Sequence, residues 1–372
     1  MISKKNQELK MLASAADEFS KKMLGPALTS SDQYPFGPFP WQLLEKAYEL
    51  DFFHPLLPEP LGGMGMGIRA LCHLLRPICR VDASFGGIVF TTTFAYDLLM
   101  RAAGLAYSAG LPAGDEDVKA FLIAAPVFDN PSDQAPGVSA HFEHDRYVLT
   151  GLTECLALGN IAERGLIPAK ICGHPGFSYF HVELDQRSVS IGEPVLSLGM
   201  HACPVVDVRF HNATGHLIGE EHRGEAYFQE TSNRFLSVVG AMALGVMEGA
   251  FGEACTYARK RKQGGKAIMH WSELQMMLSD MALKIKMAEM AVAHSSAAVD
   301  EGLTGWRPAS LAVAAESSAM ACAVTNNGIQ VLGGAGYMQD FGQEKRFRDA
   351  RHIQTLLGAP ALKKLRFLKH VA

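Results

Sequence analysis

The chain has 372 residues, 48% of them hydrophobic, so it can bury a large core and has room for two or three domains. A net charge of −4 and the lack of a long Lys/Arg run exclude a nucleic-acid footprint. No apolar run approaches the ~18–20 residues of a membrane span, and the opening "MISKKNQELK" lacks a signal-peptide core; seven cysteines without a CxxC pair fit reduced thiols in a cytoplasmic protein.

Residues 1–118 read as helical, with amphipathic stretches at Leu9–Lys22 and Trp41–Leu50. They are broken by the turn-rich "SSDQYPFGPFP" and "PEPLGGMGMG". The second stretch looks like a nucleotide loop. Its glycines do not form GxGxxG and no strand precedes it, so an interhelical turn is expected.

Residues 119–225 change character. "GVSAHFEHDRYVLTG", "GFSYFHVEL" and "VVDVRFHNATGHLIGE" are β-rich runs separated by Gly, Asn and Pro, which predicts a compact β domain. His141 and His144 are three apart, and on a strand they would point to opposite faces, so no metal pair is expected. No GxSxG, HExxH or P-loop is present, which leaves hydrolase and metalloenzyme readings without support.

Residues 226–372 return to a helical period. Leu274, Leu278, Met281, Ile285, Ala288 and Val292 form one apolar stripe, and the Met-rich segment around them is read as core. In "YARKRKQGGKAI" a basic helix is expected to stop at Gly264-Gly265, where cations and a glycine turn could also grip a phosphate. In "GIQVLGGAGYMQDF", Gly333, Gly334 and Gly336 either expose backbone amides to a ligand or make a tight turn. Near the end, "RFRDARHIQTLLGAP" closes on Gly358 and Pro360 as a helix stop or turn. Leu356 and Leu357 stand just before that glycine and can carry no proton. The basic tail "LKKLRFLKH" reads as a solvated helix face.

Taken together, "RKRKQGGKAI" and the later "IQVLGGAGYMQDFGQEKRFRDAR" resemble the acyl-CoA dehydrogenase family patterns R-x-Q-F-G-K-x-I, Q-x-x-G-G-x-G-Y and R-D-A. "PWQLLEKAYELDFFHPLLPEPLGGMGMG" and "LGMHACPVVDVRFHNATGHLIGEEHRG" extend the likeness over most of the chain. The resemblance implies a mainly α fold with a central β domain: an N-terminal helical domain, a middle β-barrel-like domain and a C-terminal four-helix bundle. It also implies FAD, a CoA thioester substrate, an electron-transfer flavoprotein as acceptor, and a dimer or tetramer.

The sequence departs from the family where the chemistry would sit. The family's glutamate base precedes the glycine of Y-E-G-T, where this chain has Leu357; the alternative location, before an arginine on an earlier helix, holds Asn233. A missing general base costs about 10²–10⁴-fold in rate. The T-E-P segment that grips the flavin ring reads Ala124, Ala125 and Pro126, and the W-I-T segment reads Cys155, Leu156 and Ala157. Arg261, Gln263, Gln330, Gly333 and Gly334 match the motifs that reach the FAD pyrophosphate and adenosine of the neighbouring subunit; Gly264 replaces the usual phenylalanine.

No catalytic residue and no metal ligand is assigned. The leading expectation is the non-catalytic subunit of a hetero-oligomer that lends these contacts to FAD on a homologous partner. Three alternatives stand beside it. They are a self-sufficient homotetramer with Asp97 or His352 as displaced base, a flavin monooxygenase using His352, and a redox-inactive structural relative. The segment between Gly104 and Lys119 is shorter than in the family and gives no guide to the acyl group.

Overall fold

The computed structural model describes residues 2–104, 118–173 and 175–372; the shortened segment after Gly104 lies almost wholly outside the described residues. Leu12, Ala16 and Phe19 recur at helical spacing and are buried, and they set the inner face of α1 (Ile2–Phe19). A wider turn at Ser20–Leu24 carries the chain into α2 (Gly25–Ser31), and Leu44 and Ala47 seat α3 (Trp41–Glu49). Then come α4 (Ile68–Val81) and α5 (Ala83–Ala103), separated only by Asp82, whose carboxylate caps α5 by accepting from the Ser84 amide at 2.9 Å.

The glycine-rich loop ahead of α4 is an interhelical turn. The helix start it leads into already has its anion: the amides of Ile68 and Arg69 donate to the two carboxylate oxygens of Asp300 at 2.7 and 3.0 Å. A Cβ on Gly67 would lie 2.3 Å from that carboxyl group, so the glycine admits an internal cap rather than a nucleotide.

The middle region opens with α6 (Val118–Phe121) and β1 (Ile123–Ala124). It continues through β2 (Val138–Glu143), β3 (Arg146–Ala157), β4 (Arg164–Ile171), β5 (Ser178–Glu183), β6 (Val189–Pro194) and β7 (Val205–Ile218). Pairing returns on itself in the order β4-β2-β3-β7-β5-β4, which makes a small barrel, with β1 added to β4 and β6 to β7. His141 lies on β2, whereas His144 sits in the β2–β3 turn at φ +49°. Among the described residues no cluster of His, Cys, Asp or Glu could hold a metal.

The C-terminal region has α7 (Gly224–Lys260), a hairpin of β8 (Lys262–Gln263) and β9 (Lys266–Ala267), then α8 (Ser272–Glu301) and α9 (Trp306–Leu332). It ends with α10 (Gln343–Ile353) and α11 (Pro360–Val371). Buried hydroxyls of Ser237, Ser295 and Ser310, 2.6–3.3 Å apart, pin α7, α8 and α9 together. Leu278, Met281, Ala288 and Val292 are buried as the stripe predicts. The Met-rich segment is only half core, because Met276, Leu283, Met287 and Met290 face outward on the same helix.

Two helices, α5 and α7, are long and apolar enough to cross a bilayer by length and composition, which the run-length reading of the sequence did not expect. Their most apolar windows are 89% and 78% buried inside the fold, as in core helices.

One buried cation joins all three regions. Lys345 Nζ of α10 donates to Asp82 at 2.8 Å and to Asp349 at 2.6 Å, while the second oxygen of Asp349 accepts from the Met200 amide at 2.7 Å. Burial works against the ammonium, but the two carboxylates outweigh it and hold the lysine pKa above its ordinary value.

Candidate cofactor site

The three segments that the sequence assigns to the flavin ring and the base do meet in space. Ala125 and Ala157 form an isolated bridge, each amide donating to the other's carbonyl at 3.2 Å. The Leu357 amide donates to the Val127 carbonyl at 2.7 Å, which locks the α10–α11 loop against the same strand ends. Leu357 sits at φ +60°, a conformation uncommon for leucine, so the loop keeps an unusual backbone. Behind it, buried Lys363 donates to the Gln354 carbonyl at 2.8 Å, and burial followed by the nearby Arg366 pulls its pKa down to about 7.

A flavin ring does not fit the groups found there. Ala124, Ala125, Leu156, Ala157, Leu356 and Leu357 are all buried and offer no side-chain donor. The backbone amides are already used: Val127 donates to Ala125 and Leu158 to Pro204, besides the three bonds above. The cavity beside these segments, between Pro126, Asp129 and Leu152–Glu154, measures about 130 Å³. Small-molecule sites start near ~300 Å³.

None of the base candidates faces this ground as a free base. Asn233 is half-buried on α7. Asp97 is buried on α5 between Arg101, at 2.7 Å, and Arg234, at 3.3 Å; burial raises its pKa and Arg101 opposes that. It borders a cavity of about 370 Å³ with Phe53, Leu56, Tyr96 and Met100, rather than the Leu357 loop. His352 packs on Phe128 with ring centroids 4.4 Å apart, and its Nδ1–H donates to the Gly199 carbonyl at 2.6 Å. Burial lowers its pKa, which keeps the ring neutral and structural.

The outer set behaves differently. Arg261, Gln263, Gln330, Gly333 and Gly334 are all exposed, and no described residue bonds the three polar side chains. Tyr257 packs edge-on against Phe341 at 5.6 Å, which places the end of α7 against the turn that follows the glycine stretch. The basic helix ends at Lys260, before the glycines. Gly264 and Gly265, at φ +62° and +83°, form the two-residue turn of the β8–β9 hairpin instead of the expected helix stop, because strand twist favours a turn with two positive φ values.

The glycines of the second stretch divide by cause. A Cβ on Gly336 would fall 2.4 Å from the Ile329 carbonyl oxygen, so that glycine serves packing. Gly333 needs its freedom at φ +59°, ψ −135°. Gly334 has no positive φ and nothing within 4 Å of an added Cβ, so nothing inside the chain requires it to be small. Gly334→Ala is therefore expected to leave stability within about 0.5 kcal/mol. Gly336→Ala should lose about 1–3 kcal/mol. Urea unfolding of the two variants reads this difference.

Two features escaped the sequence reading. One is the Asp97–Arg101–Arg234 cluster, whose members lie on two distant helices. The other is Trp271, which covers the hairpin turn: a Cβ on Gly264 would lie 2.8 Å from its Cζ2.

Comparison with known proteins bears on the chain as a whole. Residues 222–371 match the acyl-CoA dehydrogenase C-terminal domain and residues 6–104 its N-terminal domain. The chain is 26% identical to a 3-(aryl)acrylate reductase of Clostridium sporogenes, covering 96% of this chain and 97% of that protein. It is also 26% identical to the cyclohexane-1-carbonyl-CoA dehydrogenase of Geobacter metallireducens, covering 97% and 96%. The solved butyryl-CoA dehydrogenase of Megasphaera elsdenii superposes with a TM-score of 0.88 at 20% identity, covering 98% of this chain and 97% of the other.

Proposed function

The chain belongs to the acyl-CoA dehydrogenase family of flavoprotein oxidoreductases, and on that footing we propose that it is the non-catalytic subunit of a hetero-oligomeric acyl-CoA dehydrogenase. One contrast carries this reading. At Ala124–Pro126, Leu156, Ala157 and Leu357 the side chains are apolar and the amides of Ala125, Ala157 and Leu357 bond within the chain, whereas Arg261, Gln263 and Gln330 are exposed and their side chains bond no described residue.

FAD held mainly by a homologous partner chain would supply the hydride acceptor for an acyl-CoA thioester, with an electron-transfer flavoprotein as the onward electron acceptor. This chain's share is electrostatic and positional. Arg261 would hold the pyrophosphate, since a guanidinium offers a planar fork of donors to phosphate oxygens. Gln263 and Gln330 supply neutral hydrogen bonds, and Gly333-Gly334 lets the nucleotide approach backbone. The glutamate, the ring-covering tryptophan and the thioester pocket come from the partner. The chain works in the cytoplasm.

The test is a visible spectrum of the purified chain, alone and co-expressed with a family member from the same genome. The chain alone is expected to be colourless and the co-purified complex yellow and active. A yellow lone chain that dehydrogenates acyl-CoA would overturn the proposal and favour a self-sufficient enzyme working through His352.

A further inference from the structure

His201 stands in the loop between β6 and β7, where three segments of the chain meet. Its Nδ1 lies 2.8 Å from the Asp32 carbonyl oxygen and 3.2 Å from the Asp32 carboxylate, at the end of α2. Its Nε2 lies 3.0 Å from the Ser197 carbonyl oxygen of its own loop. Both ring nitrogens therefore face acceptors. A neutral imidazole has one N–H and serves only one of them, whereas an imidazolium donates to both.

The third segment is α10. Arg348 Nη1 is 3.4 Å from the Leu198 carbonyl and 3.5 Å from His201 Nε2, while Nη2 donates to Asp32 and Nε to Glu344, each at 2.6 Å. Once Nε2 loses its proton, its lone pair can accept from Arg348, but it meets the Ser197 oxygen as one acceptor against another. The ring thus has two arrangements. Charged, it ties the loop down; neutral, it turns to the arginine and frees the Ser197 carbonyl.

The surrounding groups decide between them. Asp32 from α2 and Arg348 and His352 from α10 act on the ring, and the loop Val195–Met200 has no titratable residue apart from them. The hydrogen bond to Asp32 raises the His201 pKa, while burial and Arg348 oppose the rise. Asp32 itself stays ionised: burial works against it, but His201, Arg348 and Lys345 hold its pKa at about 2. The loop also lines a groove of about 690 Å³ with the Asp32–Phe36 stretch and α10. Val195 and Leu196 are 41% and 69% exposed, so little buried apolar surface holds the loop once its tether goes.

We propose that His201 is a protonation-controlled latch on this groove: the imidazolium holds Val195–Leu198 closed, and loss of the Nε2 proton releases it. The device belongs to the chain itself, whether or not a partner shares its cofactor. Its sign follows from the raised pKa, because the folded protein binds this proton more tightly than the unfolded chain. The latch is fully engaged below the ordinary histidine value of about 6.5 and is lost as pH rises through the higher folded value.

Hydrogen exchange of the full chain, read by mass spectrometry from about pH 6 to about pH 9, tests this. The Val195 and Ser197 amides, bonded at 2.8 Å to the Val205 and Val195 carbonyls, report the loop. Their protection, corrected for intrinsic exchange, is expected to fall about tenfold across that range, roughly one hydrogen bond to a charged group. Peptides from α7 should stay level. NMR of the histidine ring protons, assigned with His201→Gln, should place this ring's pKa above the ordinary value. His201→Arg keeps a fixed cation and should leave the loop protected throughout, whereas His201→Gln should remove the pH dependence. Asp32→Asn should move release to lower pH.

A ring that titrates at or below about 6.5 would overturn the latch. Loop protection that stays level while the ring deprotonates would overturn it too. A third contrary result is a His201→Gln chain whose loop keeps the parental pH dependence, because another group would then be responsible. The parental titration needs no substitution, so a variant that fails to fold leaves the test intact.

Discussion

Lys345→Met is expected to destabilise the protein by about 3–5 kcal/mol, as when one partner is removed from a buried ion pair. The lysine is almost wholly buried and sits between Asp82 and Asp349, at 2.8 and 2.6 Å. Methionine matches its length and removes the charge, so two carboxylates would face each other without a counterion. Each also holds a neighbouring segment: Asp82 caps α5, and Asp349 binds the Met200 amide ahead of β7. Losing the cation therefore loosens the N-terminal helices, the barrel edge and α10 together. Urea unfolding checks this, and equal stability of variant and parent would contradict it. Adding Asp82→Asn to Lys345→Met should recover part of the loss, as expected for coupled neighbours.

Leu357→Glu, which puts an acid where the sequence reading aligns the family's glutamate, is expected to produce no dehydrogenase in the isolated chain. Its site is closed: Leu357 is 1% exposed and its amide is bonded to Val127. The new carboxyl group would be taken out of water at a buried position. Its pKa would rise, and because the unfolded chain ionises it freely, stability would fall with pH from about 4.3 upward at ~1.4 kcal/mol per unit. The loss approaches roughly 4 kcal/mol at pH 7 if the group stays neutral in the fold. The measurement is thermal unfolding against pH, together with an acyl-CoA assay using an artificial electron acceptor. Turnover by the lone variant would mean that a ring site exists where the parent shows packed side chains.

These expectations separate what one dimension encodes from what three dimensions add. The helical stretches around Leu9–Lys22 and Trp41–Leu50, the β-rich middle and the Leu278–Val292 stripe were legible because periodic burial is a local property, repeated every turn or every second residue. The identities of Leu357, Ala124–Pro126 and Cys155–Ala157 were likewise visible, since each departs from a short motif. The boundaries were harder. The α7 helix ends at Lys260, and the next residues pair as a hairpin whose turn lies against Trp271.

By itself, then, the sequence determined the family, the order of helices, β-rich middle and helices, and which side chains stand at 124–126, 155–157 and 357. Only the tertiary structure decided that these segments meet at one point, where backbone amides of Ala125, Ala157 and Leu357 bond within the chain. Only it decided that Gly334 is open while Gly336 is packed, and that Lys345 holds three regions at once. The physical reason is common to all of these. Composition and period reveal which residues seek burial, but a hydrogen bond or an ion pair between distant segments exists only once the whole chain has brought its two ends together.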